Sequence, residues 1–190
     1  MNILIETLPT AIAVDGQECE INSDFRDCLR IILAFENNNL AAVEKQMILL
    51  SNLYKDQPKN IQVAIEQGLK FLNGGEVKEE EEKESKRLYS FEKDASFILA
   101  AFRQTHGIDI ETEKIHWWKF MALFMDLGAE TTFSSLISLR KRMNDGTATK
   151  EERIAVDALG DIFEIEELDT RTLEQRETEE VFMAAVGGKK

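Results

Sequence analysis

Glu113 and His116 stand three residues apart, a spacing that on a helix brings a carboxylate and an imidazole to one face, as general acid–base catalysis requires. Nothing else of an active site accompanies them. No serine or cysteine lies in a nucleophile-elbow or cysteine-protease pattern, and a lone imidazole beside Trp117 and Trp118 reads as a partly buried structural group. Metal chemistry needs ligands clustered at tight spacing. His106 and His116 are the only histidines, Cys19 and Cys28 the only cysteines, and no two of them have metal-site spacing. Gly74-Gly75 and Gly187-Gly188 are isolated pairs without the pattern of a phosphate-cradling loop. Asp24-Phe25-Arg26-Asp27 gathers charge where a helix starts, which reads as a local network stabilising that start. The expectation is a protein that is not an enzyme and takes neither metal nor cofactor.

The elements that would position these groups are mainly helical. Ala11 to Val14 and Gln17 to Ile21 alternate apolar residues around Asp15-Gly16, the dipeptide of a two-residue hairpin turn. A lone hairpin is marginal in water, so this one must lie on the helices that follow or extend a neighbour's sheet. Phe25, Cys28, Leu29, Ile32 and Phe35 then predict a helix capped by Ser23 or Asn22 and stopped at Asn37-Asn38-Asn39. A second helix is expected from Leu40 to Tyr54. A third is expected from Pro58 to Asn73, with a stripe of Ile61, Ile65, Leu69 and Leu72.

Glu76 to Arg87 is almost entirely charged and reads as a loop, spanning about residues 75–88, or a solvated helix extension. Ser90 caps an apolar helix expected from Phe91 to Thr105, closed by Gly107. The next, from about Thr112 to Leu127, is apolar nearly all round, so it is either central or carries a second face for a partner. Thr132 to Met143 predicts a helix ending in Arg140-Lys141-Arg142, read as a charged end favoured by the macrodipole. Thr149 to Glu152 has the capping-box form that starts a last helix through Ala155, Val156 and Leu159. Residues 1–160 thus read as one helical domain of six to seven helices with an N-terminal β-hairpin. Residues 161–190 read as an acidic tail, with nine acids against Arg171 and Arg176 between Asp161 and Glu180, then an apolar patch at Val181 to Val186.

Composition narrows the function classes. The formal charge of −13, from 36 acids against 23 bases, disfavours a nucleic-acid groove and an anionic membrane surface. No apolar run approaches the ~18–20 residues of a spanning helix, and Met1 to Thr10 has no secretory pattern. The expected place is the cytoplasm of the cell that makes the chain, where Cys19 and Cys28 stay free thiols.

Several stretches together resemble a phage family. They are Leu8-Pro9-Thr10, the Asp15-Gly16 hairpin, Ile21-Asn22-Ser23-Asp24-Phe25-Arg26-Asp27, Tyr89-Ser90-Phe91-Glu92-Lys93-Asp94-Ala95, Ala100-Ala101-Phe102 and Gly107-Ile108-Asp109. The most specific is His116-Trp117-Trp118-Lys119-Phe120, followed by Ala122-Leu123-Phe124. Over roughly residues 3 to 158 the chain resembles the gene-product-fifteen family of tailed phages that infect Gram-positive bacteria. The resemblance implies a tail assembly chaperone of the host cytoplasm, encoded just ahead of the tape-measure gene, that coats the tape measure protein and helps deliver tail-tube subunits. Under that reading Trp117, Phe120 and Phe124 are the candidate partner-binding anchors, the competing reading being that they fill the core. Self-association is expected as well, from the small hairpin and the apolar breadth of the 112–127 helix. The closing Gly187-Gly188-Lys189-Lys190 reads as a soluble terminus; the alternative is a translational slippage site of the kind long-tailed phages use.

Overall fold

The computed structural model describes residues 2–76 and 86–165. Most of the charged 76–87 stretch, the acidic segment from Glu166 and the Val181 to Val186 patch lie outside the described residues. Among the described residues the chain forms two strands and seven α-helices. Strands β1 (Ala11–Val14) and β2 (Gln17–Glu20) pair antiparallel, with Ala11 opposite Glu20 and Val14 opposite Gln17. Asp15 (φ 49°) and Gly16 (φ 77°) both take positive φ, as a type I′ turn demands. The hairpin does not stand alone: β1 packs against α3 (Ile61–Leu72), and Val14 is buried there.

Helix α1 (Phe25–Glu36) is capped by Asp24, whose side chain accepts the Arg26 N–H, and not by Ser23 or Asn22. Asn22 is used elsewhere: its N–H donates to the Leu53 carbonyl and its side chain to that of Asn52. Helix α1 ends at Asn37, and α2 (Ala42–Leu53) packs across it. Helix α3 starts at Ile61, three residues later than Pro58 suggests, because Asn60 caps it by accepting the Val63 N–H. Its buried face is also rotated from the expected stripe. Ala64, Ile65, Gly68, Phe71 and Leu72 face inward, while Ile61 and Leu69 are exposed. The small residues decide this. A Cβ on Gly68 would lie 2.9 Å from Leu49 Cδ2 and 3.0 Å from Leu53 Cδ2, so glycine lets α2 approach α3 closely.

Helix α4 (Ala95–His106) begins four residues after the expected start and ends at Gly107 as expected. Residues 91–94 form a turn instead, held by the Ser90 N–H donating to Asp94 Oδ2 and the Lys93 N–H to Ser90 Oγ. Helix α5 (Trp117–Met125) is shorter than the expected 112–127 span. Arg26 prevents the earlier start, because its guanidinium donates to the carbonyls of Ile110, Glu111 and Glu113 and holds that segment as a turn. Helices α6 (Thr132–Asn144) and α7 (Lys150–Leu159) follow, the latter with the Thr149–Glu152 capping box in place and a 3-10 turn at Gly160–Ile162 behind it.

The core lies where α1, α4 and α5 meet. Phe120 is its centre, stacked on Phe25 at 4.5 Å, on Phe102 at 5.0 Å and on Trp117 at 5.8 Å between ring centroids. The planes of Phe25, Phe102 and Trp117 each lie within 15° of that of Phe120 and make an aromatic column, which shares one core with buried residues of the hairpin, α2 and α3. On the other side Phe91, Phe124, Phe133 and Tyr89 continue it towards α6.

Candidate interaction surface

The residues singled out as partner anchors are interior. Trp117 and Phe120 are 1% exposed and Phe124 is 5% exposed. Trp117 also donates its Nε1–H to the Leu72 carbonyl at 2.8 Å, which fixes α5 to the end of α3. In the folded chain all three fill the core and present no surface to a partner. The physical reason is the face they share: 117, 120 and 124 follow one another at three- and four-residue steps on the side of α5 that meets α1 and α4. Trp118, on the neighbouring face, is half-buried, covers Gly75 and donates its Nε1–H to the Phe71 carbonyl at 2.7 Å.

Glu113 and His116 do not form an acid–base pair, since the helix that would align them starts only at Trp117. His116 is the N-cap of α5. Its Nδ1 accepts the Trp118 N–H at 3.1 Å, which leaves Nε2 to donate to the Pro9 carbonyl at 2.9 Å. Beside it the Phe25 N–H donates to the Ile115 carbonyl and the Trp117 N–H to the Ser23 carbonyl. The imidazole therefore ties the N-terminal stretch to the start of α5, and the backbone bonds beside it join the start of α1 to the same seam. We expect His116→Asn, which keeps a good N-cap and loses the Pro9 bond, to cost about 1 kcal/mol in urea denaturation. His116→Ala, which loses both, should cost about 2–3 kcal/mol; equal losses would show that the cap contributes nothing.

The thiols are unlike one another in setting. Cys19 is half-exposed on β2, and Cys28 is fully buried in α1. Burial, reinforced by the nearby Asp27 and Asp24 carboxylates, pushes the Cys28 thiol well above its ordinary range and so keeps it protonated and inert. Burial also raises the Tyr54 phenol to about 12, and its hydroxyl donates to the Ala64 carbonyl at 2.7 Å. Among the described residues no three His, Cys, Asp or Glu side chains gather as a metal site. No helix there is long and apolar enough to cross a membrane.

What the surface offers is apolar side chains on ordered backbone. Leu4 and Ile5 are 88% and 81% exposed in an N-terminal turn whose first N–H groups are satisfied by Asn2 and whose Asn2 N–H donates to Glu6. Val43 and Met47, one turn apart on the outer side of α2, are likewise exposed, as are Met125 at the end of α5 and Ile154 on α7. Sequence periodicity did not single these out, because each patch is one or two residues wide and lies in a turn or off the buried face of its helix. A polar cleft of about 940 Å³ opens between the end of α1 and the 87–93 turn, lined by Asn37, Asn39, Ser90 and Lys93 and by the Glu36–Arg87 ion pair.

Arg140 is the other departure from the sequence reading. The sequence reads it as part of a charged helix end, yet it is 3% exposed and paired with Asp94, which is wholly buried, through two contacts of 2.6 and 3.0 Å. All five guanidinium N–H groups have acceptors: both Asp94 oxygens and the carbonyls of Leu88, Ile162 and Phe163. Lys141 and Arg142 do lie at the helix end as expected. Glu152 pairs with Arg142 and accepts the Thr149 N–H; that backbone bond, then the Arg142 side chain, holds its carboxyl below the usual range of 4.5. A folded-state value lower than the unfolded one means the start of α7 is fully supported above the ordinary glutamate range and loses that support as pH falls through the lowered value. An NMR titration of the Glu152 carboxyl should therefore show a midpoint below that of a free glutamate side chain; a midpoint at or above it would remove the box.

No curated protein and no solved structure matches the chain. The family model described as bacteriophage Gp15 protein matches residues 4–165, which takes in the hairpin, all seven helices and the Arg140 cluster. By that match over most of its length, the chain belongs to the bacteriophage Gp15 protein family.

Proposed function

We propose that this protein is a tail assembly chaperone that works in the host cell cytoplasm, binding the tape measure protein and supporting assembly of the tail tube around it. The observation that carries the reading is the family match over residues 4–165, since tail assembly is the role that the resemblance to this family implies. The surface is physically suited to such work. Exposed apolar side chains at Leu4, Ile5, Val43 and Met47 stand on an acidic chain, and short apolar contacts on a like-charged, soluble body cover an amphipathic helix reversibly. The proposed role is binding and release of protein, without bond-making chemistry. These exposed residues replace Trp117, Phe120 and Phe124 as the anchors of the proposal.

Co-expression with the protein encoded immediately downstream tests it. The expected result is that this chain keeps that protein soluble and co-purifies with it, and that Val43→Asp with Met47→Asp weakens the complex while leaving the thermal melt of the free chain within about 0.5 kcal/mol of the original. A downstream protein that stays insoluble, or that never co-purifies, overturns the reading. Mass spectrometry of purified particles decides the neighbouring reading of a tail completion or adaptor subunit: an assembly factor is absent from virions, and a stoichiometric presence there would replace the chaperone role. We also propose self-association, to be read by light scattering; a strict monomer across a wide concentration range counts against it.

A further inference from the structure

Helix α7 is attached to the rest of the protein at its two ends. No residue of Lys150–Leu159 is buried, and Ile154 is 60% exposed. At the front, Arg142 of α6 pairs with Glu152 at 2.7 Å, over the Thr149 capping box. Behind the helix, Arg140 of α6 donates from Nε to the Phe163 carbonyl at 2.9 Å and from Nη2 to the Ile162 carbonyl at 2.8 Å. Two arginines two residues apart on one helix thus hold the beginning and the end of the stretch 150–163.

We infer that residues 150–163 are a strap that opens as one unit while α1 to α6 stay folded, with the Arg140 guanidinium as its latch. The free energy of a local opening is set by what the moving unit buries and by the bonds it must give up. Here the unit gives up the part-exposed Arg142–Glu152 ion pair, the Thr149 capping bonds, the Arg153 bonds to the Ala148 and Gly146 carbonyls, two carbonyl contacts to Arg140, and the packing of the half-buried Val156, Leu159 and Phe163. It gives up no buried side chain of α7. Opening also leaves Arg140 its paired contacts to Asp94 and its bond to the Leu88 carbonyl, so no buried charge loses its counter-ion. The same two facts make the latch reusable: the Asp94 carboxylate holds the guanidinium in place, with its Nε–Nη2 edge aimed where the two carbonyls return.

Hydrogen exchange read by mass spectrometry on the full chain tests the strap. Peptides covering 150–159 and 160–163 should exchange at one common rate, about 100-fold or more faster than peptides from α1 and α5. Glu152→Gln, a change to a part-exposed side chain outside the core, should speed both peptides by the same factor, and Phe163→Ala at the far end should do likewise. Exchange of α7 in step with α1 and α5 would overturn the proposal. So would a Glu152→Gln effect confined to 150–159, which would make α7 and the turn behind it two independently fraying pieces.

Discussion

Trp117→Ala lowers the stability of the folded chain by about 3–5 kcal/mol, whereas Trp118→Ala lowers it by roughly 1–2 kcal/mol. The two tryptophans are neighbours in sequence and each donates its indole N–H to a carbonyl at the end of α3, so the hydrogen bonds nearly cancel in the comparison. What differs is the cavity. Trp117 is 1% exposed and stacks on Phe120, which in turn stacks on Phe25 and Phe102; truncating it opens a void against the aromatic column that the rigid rings cannot refill. Trp118 lies half-exposed over Gly75 and Phe71, and water takes its place when it is removed. Urea denaturation of the two variants decides the matter. With total stabilities of only about 5–15 kcal/mol, Trp117→Ala would leave a substantial unfolded fraction. Trp117→Phe, which keeps a ring in the column, should recover a good part of the loss. Equal midpoints for the two alanine variants would mean that the column is not where the stability lies.

Arg140→Met should be as damaging, at about 3–5 kcal/mol, because it leaves the Asp94 carboxylate buried with its counter-ion gone. Asp94 keeps the Ser90 N–H, which is too weak a partner for a full charge in the interior. The second arm of the experiment separates charge from shape. Replacing both residues, Asp94→Leu with Arg140→Met, removes the uncompensated charge, so the double variant should be more stable than Arg140→Met alone. Three carbonyls, of Leu88, Ile162 and Phe163, still lose their donor in the double variant, so full recovery is not expected. Additive losses, with the double variant the least stable of all, would show that the pair is not energetically coupled.

Local chemistry in the chain marks its punctuation well. The Asp15-Gly16 turn, the stop at Asn37, the cap at Gly107 and the Thr149–Glu152 box are all where short-range rules put them, since each depends on residues within four positions of itself. The departures have a common physical origin in partners far along the chain. Arg26 unwinds the expected first turn of α5 from 84 residues away, and Asp94 draws Arg140 inward from 46 residues away. The rotated face of α3 follows from a glycine whose value appears only when α2 is laid against it. Trp117, Phe120 and Phe124 show the same limit from the functional side: aromatic residues at helical spacing serve a core and an interface equally well, and burial alone separates them. The family could be recognised from short motifs because those motifs hold caps and core contacts, which identify a fold without naming what the fold binds.

The His116 bond to Pro9 joins residues 107 apart, and the Phe25 and Trp117 amides close the same seam. That separation sets an order of events during synthesis. A ribosome that has made the hairpin and the first three helices has produced about two fifths of the chain, yet Phe25 still lacks the ring it stacks on and the N-terminal stretch lacks its anchor. Nascent chains stalled before α5 should therefore remain sensitive to protease along α1. Those released past α6 should become resistant in a single step, because one helix delivers the capping imidazole, the indole and the central phenyl ring together.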